Sequence, residues 1–211
     1  TRILLIGGLS GGKADVDLAL HALELFAGGG DVLSLRIGLS AVPCANPDGL
    51  RLNAGPSNGA GGAPSGVYPP EGKFYYDPED PEKRYLWRWV CFQAPDLVLE
   101  LQEGASVRWE HNQAGRQLAP GLASRSISGE QGLLAALGTG YPDGLGTIPG
   151  LRLTATEEQL PRELSRLFSM LRQIEVLSKS DARKALDARR GRPKMDIAKV
   201  LSSAYGHTFD P

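Results

Sequence analysis

Arg2-Ile3-Leu4-Leu5-Ile6-Gly7-Gly8-Leu9-Ser10-Gly11-Gly12-Lys13-Ala14-Asp15 opens the chain and decides how the rest is read. Ile3 to Ile6 is an unbroken apolar run, the pattern of a buried strand. Gly7, Gly8, Ser10, Gly11 and Gly12 are small or flexible, and the apolar segment from Val16 to Phe26 then predicts a helix. Strand, glycine turn and helix form the α/β unit whose functional groups gather at the carboxyl end of the strand. The crest from Gly7 to Lys13 is therefore the first candidate site. Three readings compete for it. A phosphate loop stops short at Ala14, where serine or threonine is needed after Gly12-Lys13. A nucleophile elbow needs G-x-S-x-G between strand and helix, which Gly8-Leu9-Ser10-Gly11-Gly12 satisfies. The plain alternative is a tight β–α turn without chemistry, in a chain that carries 27 glycines.

At 211 residues the chain is long enough for one sizeable α/β domain with a real core. Its net charge of −1 gives no electrostatic case for nucleic acid or an acidic membrane surface. No apolar run approaches the roughly 20 residues that span a bilayer. No signal peptide is visible, so a soluble, cytoplasmic protein is expected. Thr1 leads straight into a strand, which suggests an excised or processed piece. Cys44 and Cys91 sit in apolar surroundings and are expected as free thiols. No Cys/His cluster has zinc-finger spacing.

Asp17 and His21, four apart on the first helix, share a face; such pairs occur in metal sites and far more often as exposed ion pairs. Gly28-Gly29-Gly30 ends that helix. Val32 to Val42 alternates as a strand and leads to Asn46-Pro47-Asp48-Gly49, a strong turn sequence. Leu50 to Asp80 reads as a long loop rich in glycine and proline. Pro81 to Phe92 predicts a helix and Asp96 to Glu103 a central strand. Ser106 to Ser128 reads as polar and irregular, Gly129 to Leu137 as a short helix, Ile148 to Thr154 as a strand and Glu157 to Leu177 as an amphipathic helix. Two further helices are expected from Asp181 to Arg190 and from Lys194 to Tyr205. Their basic residues are interleaved with Asp181, Asp187 and Asp196, the pattern of a solvated face.

The order strand, Gly-Gly-x-x-Gly, helix, strand, Pro-x-x-Asn-Pro-Asp-Gly, long loop, helix, Pro-Asp-Leu-Val-Leu-Glu-Leu resembles the zinc carboxypeptidase superfamily, including its succinylglutamate desuccinylase/aspartoacylase-like branch. The resemblance covers roughly residues 2 to 175. It implies a three-layer α/β/α domain over residues 1–177 with a mixed, mostly parallel sheet. Residues 178–211 would be a C-terminal helical extension that could lead to a missing domain. In that superfamily the crest typically reads Gly-Gly-x-His-Gly-x-Glu and carries two zinc ligands. A strand of the type Pro-Asp-x-x-x-Asp-x-His brings the third. Here Ser10 falls at the His position, Lys13 at the Glu position and Gln102 at the third ligand. Thr154 falls at the late-strand position of the general-base glutamate.

A hydroxyl, an ammonium and a neutral amide do not replace two imidazoles and a carboxylate around Zn²⁺. The resemblance with these departures implies no metal cofactor and a pseudoenzyme of hydrolase ancestry. It would bind a peptide or small amide-type ligand in the former cleft, through Asn46, Asp48, Arg51, Gln102 and Glu103, or support a partner domain. Two enzymatic readings stand beside it. Ser10 could be a nucleophile with Lys13, one helical turn on, as base, or with His207 and an acid such as Asp143. Alternatively a metal is held by relocated ligands drawn from His21, His111 and His207.

Overall fold

A computed structural model describes residues 1–28, 37–70, 79–127, 132–139 and 146–173. The strand residues expected before Ile37, the helices expected beyond Gln173, and Asp143 and His207 lie outside the described residues. The apolar run at the start forms β1 (Arg2–Ile6), and the crest leads into α1 (Lys13–Gly28). β2 (Gly38–Val42) follows, then a short helix α2 (Pro47–Leu52), α3 (Pro81–Gln93) and β3 (Leu97–Glu103). β4 (Arg108–His111) leads through a 3₁₀ turn to α4 (Ala119–Leu122) and β5 (Arg125–Ser126). α5 (Leu133–Thr139), β6 (Gly150–Ala155) and α6 (Leu160–Gln173) complete the described elements.

These strands form one six-stranded sheet in the order β2-β1-β3-β6-β4-β5. β1 pairs in parallel with β2 and β3, and β3 with β6; β4 runs antiparallel to β6. Alternation across the pleat sends side chains to two cores. Ile3, Leu5, Leu97, Leu99, Leu151 and Leu153 face α1 and α6 on one side. Leu4, Ile6 and Val98 face Leu86, Trp87 and Val90 of α3 and Leu134 and Leu137 of α5 on the other. The result is the expected α/β/α sandwich with a mostly parallel sheet.

Two local readings change. Asn46-Pro47-Asp48-Gly49 is the start of α2 rather than an isolated turn: the Asn46 side chain accepts from the Gly49 N–H as N-cap and Pro47 fills the first turn. The segment read as irregular after Ser106 contains β4 and β5. β4 has only four residues, with Trp109 and His111 buried while Arg108 stays in solvent, too short a pattern to carry a periodic signal.

Candidate functional site

β1, β3 and β6 end on one side of the sheet because they are parallel, and β4 begins there because it runs the other way. A cleft of about 490 Å³ opens beside these ends, with Leu9, Tyr68, Glu100, Gln102, Arg108 and Arg152 in its walls. Strand register sets two rows of residues beside it, of which Glu100, Arg152, Gln102 and Arg108 line the cleft. Glu100 is opposite Arg152, which is opposite Glu110. Two residues along, on the same face, Gln102 is opposite Thr154, which is opposite Arg108.

The first row is joined by hydrogen-bonded ion pairs. Arg152 donates from Nε to Glu100 Oε1 at 3.0 Å and from Nη2 to Oε2 at 3.4 Å, while its Nη1 reaches Glu110 Oε2 at 3.4 Å. The Glu100 side chain is 3 % exposed and that of Arg152 12 %, so neither charge is screened by bulk water. The second row is open. The Gln102 amide donates to Glu100 Oε1 at 3.1 Å, which leaves its own Oε1 as an acceptor. Thr154 Oγ1 is buried without a hydrogen-bond partner. Arg108 is half in solvent, its Nε 3.7 Å from Glu110. Above the rows Tyr68 donates to the Pro64 carbonyl at 2.7 Å. Burial, then the charges of Asp80 and Glu100, push its phenol well above the usual tyrosine range, so it stays neutral.

The crest is organised differently. The Ser10 hydroxyl donates to Asp15 and accepts the Gly12 N–H at 3.0 Å. The other Asp15 oxygen accepts the Glu103 N–H at 2.7 Å, tying the crest to the end of β3. Gly11 holds φ +70°, and a Cβ there would run into the Gly55 carbonyl. Lys13 points into solvent, its side chain 78 % exposed, and pairs with Asp17; the structure does not bring it to Ser10. Of the other expected site residues only Gln102 lines the cleft. Asn46 is fully buried, with its amide donating to the Gly55 and Pro56 carbonyls, so it braces the loop after α2. Asp48 and Arg51 pair with each other in solvent at 3.3 Å, and the Glu103 side chain is exposed.

His21 sits 3.2 Å from Glu157, and His111 Nδ1 lies 2.9 Å from Ser124 Oγ. Among the described residues no group of three or more His, Cys, Asp or Glu is placed to hold a metal ion. No described helix is long and apolar enough to cross a membrane. Neither Cys44 nor Cys91 is part of a disulfide. Glu100, Glu110, Arg108 and Arg152 escaped the sequence reading. A signal was present: Glu100 and Arg152 each interrupt an otherwise apolar run of a central strand.

This arrangement of sheet and helices is the fold of the metallo-carboxypeptidases and of succinylglutamate desuccinylase/aspartoacylase family proteins. A metallo-carboxypeptidase from Pseudomonas aeruginosa, solved with (2-guanidinoethylmercapto)succinic acid, superposes with a TM-score of 0.58 at 13 % identity, over 84 % of this chain and 58 % of its own. One from Burkholderia cenocepacia gives 0.60 at 11 % identity, over 82 % and 56 %. A Shewanella amazonensis protein assigned to the succinylglutamate desuccinylase/aspartoacylase family gives 0.57 at 12 % identity, over 81 % and 63 %. This chain thus spans between half and two thirds of the length of these structures. No family model and no curated protein sequence matches it.

Proposed function

We propose that this chain is a zinc-independent relative of the metallo-carboxypeptidase fold that binds a peptide or amide-type ligand in its cleft. The observation that carries the reading is the pair of registered rows beside the cleft. The residues present do not fit a zinc ion. At the positions the resemblance assigns to ligands stand Ser10, already bonded to Asp15, the ammonium of Lys13, and the amide of Gln102. Zinc takes imidazole, thiolate or carboxylate donors. The two carboxylates nearest Arg152, Glu100 and Glu110, already share its guanidinium, a fixed cation that repels a second one.

What the cleft offers instead is hydrogen bonding. Gln102 Oε1 accepts an amide N–H, and the Arg108 guanidinium donates to a carbonyl or carboxylate. Thr154 lies between them in register, its hydroxyl buried beneath the cleft. Leu9, Val67 and Leu133 supply apolar wall. Such a cleft, mostly preformed with a few placed polar groups, has the character of a ligand site.

Elemental analysis of protein purified without a histidine tag, before and after zinc addition, tests the reading. Well under about 0.1 zinc per chain is expected, and about one zinc per chain, bound tightly enough to survive desalting, overturns it.

A further inference from the structure

The other end of β4 carries a second cavity, of about 520 Å³, whose described lining includes His111, Gln113, Arg116, Ser126 and Thr139. His111 is 94 % buried by the exposure of its residue, 6 %. Its Nδ1 is 2.9 Å from Ser124 Oγ, and its Nε2 has no partner among the described residues. That nitrogen is left to bond a group that enters the cavity. The position of the imidazole is not accidental. It ends a strand whose next residue, Asn112, makes four buried bonds: to the Leu134 and Ile148 carbonyls and from the Gly115 and Gly150 N–H groups. That hub fixes the backbone on which His111 sits.

The described lining of this cavity contains Arg116 and no carboxylate. Burial, and then the Arg116 charge, hold the His111 imidazole below the usual histidine range, so at neutral pH it is uncharged. In the tautomer in which the Ser124 hydroxyl donates to Nδ1, the ring proton sits on Nε2 and makes that atom a donor. We propose that this cavity is a binding site for a small oxyanion, a phosphate or carboxylate group, held by His111 Nε2–H and the Arg116 guanidinium. Both are donors, and Arg suits either group through its planar fork. The site is separate from the cleft: Arg108 at one end of β4 lines the first, and His111 at the other end lines the second.

The test is a titration of the whole chain, labelled with ¹⁵N-histidine, with inorganic phosphate at pH 7 and constant ionic strength. The three histidines, His21, His111 and His207, report separately. A saturable shift of the His111 signals is expected at or below about 10 mM phosphate, with His21 unmoved. In Arg116→Gln, an exposed substitution that leaves the core intact, the midpoint should rise at least about tenfold. Acetate in place of phosphate separates the sources: saturation by both marks a general oxyanion site, and saturation by one names the group. No saturable shift with either anion overturns the proposal. So does a shift of the same size in Arg116→Gln, or one reproduced by sodium chloride alone.

Discussion

The two ends of β4 meet the same problem, a cationic side chain beside a cavity, and solve it in opposite ways. At the carboxyl end of the sheet Arg152 pairs with Glu100 and Glu110, and the polar groups left facing the cleft are the Gln102 amide and the half-exposed Arg108. At the other end His111 and Arg116 face their cavity with no described acidic partner. The difference teaches that counting charges in a pocket does not reveal its ligand; what matters is which charges are already answered. A guanidinium paired with two carboxylates is part of the scaffold. One without a counterion is an invitation to an anion.

The comparison breaks most visibly at Arg152. Arg152→Met keeps the stem of the side chain but takes the Arg152 cation away from buried Glu100. Removing one partner of a buried pair typically costs about 3–5 kcal/mol, so a large fall in the urea midpoint is expected. Arg152→Met combined with Glu100→Gln should recover a good part of that loss, since no buried charge is then stranded. If the single variant unfolds at the wild-type midpoint, the first row is not held by its ion pairs and the contrast between the two ends fails.

How far this was visible beforehand depends on what each segment carries. β1, the crest and α1 were legible because an apolar run, a set of glycines and a helical segment follow each other without interruption. β3 and β6 were legible for the same reason. The site was not, because its residues belong to different strands and meet only through register. Nothing in the one-dimensional order places Glu110 beside Arg152, 42 positions away. β4 was missed because two of its four residues are charged, and they are charged because they turn toward the cleft and each other. The crest misled in the other direction. Ser10 and Lys13 have the types and spacing of a reactive pair, yet Asp15 takes the serine and Asp17 the lysine.

A smaller effect sharpens the view of the other end. His111 has a depressed pKa in the folded chain, so the unfolded chain binds a proton there more readily. Its contribution to stability is therefore full above the ordinary histidine range, near pH 6.5, and is lost as pH falls from there toward the folded value. The slope cannot exceed about 1.4 kcal/mol per pH unit for one proton. Urea titrations between pH 7.5 and about pH 5 should show this loss in the wild type and a shallower one in His111→Gln. Equal slopes in both would mean that His111 is not held neutral by its surroundings. Phosphate should flatten the wild-type slope further, because an anion beside the ring favours its charged form.

The smallest expected effect bears on the crest itself. Lys13 is exposed and pairs with Asp17 one helical turn away. Exposed pairs at this spacing contribute about 0.3–0.5 kcal/mol, so Lys13→Ala should move the urea midpoint barely beyond error. The same substitution separates the two readings of Ser10. A serine nucleophile served by Lys13 should react with a fluorophosphonate probe in the wild type and lose that labelling in Lys13→Ala. A serine that donates to Asp15 and caps the Gly12 N–H is a turn residue, and should be unlabelled in both proteins. Its loss should then be felt in stability instead: Ser10→Ala strands a carboxylate oxygen of Asp15 and the Gly12 N–H, at a cost of about 1–3 kcal/mol. A crest whose serine matters for stability while its lysine matters for nothing is built as a turn. Whatever the chain recognises is then left to the strand rows beside it.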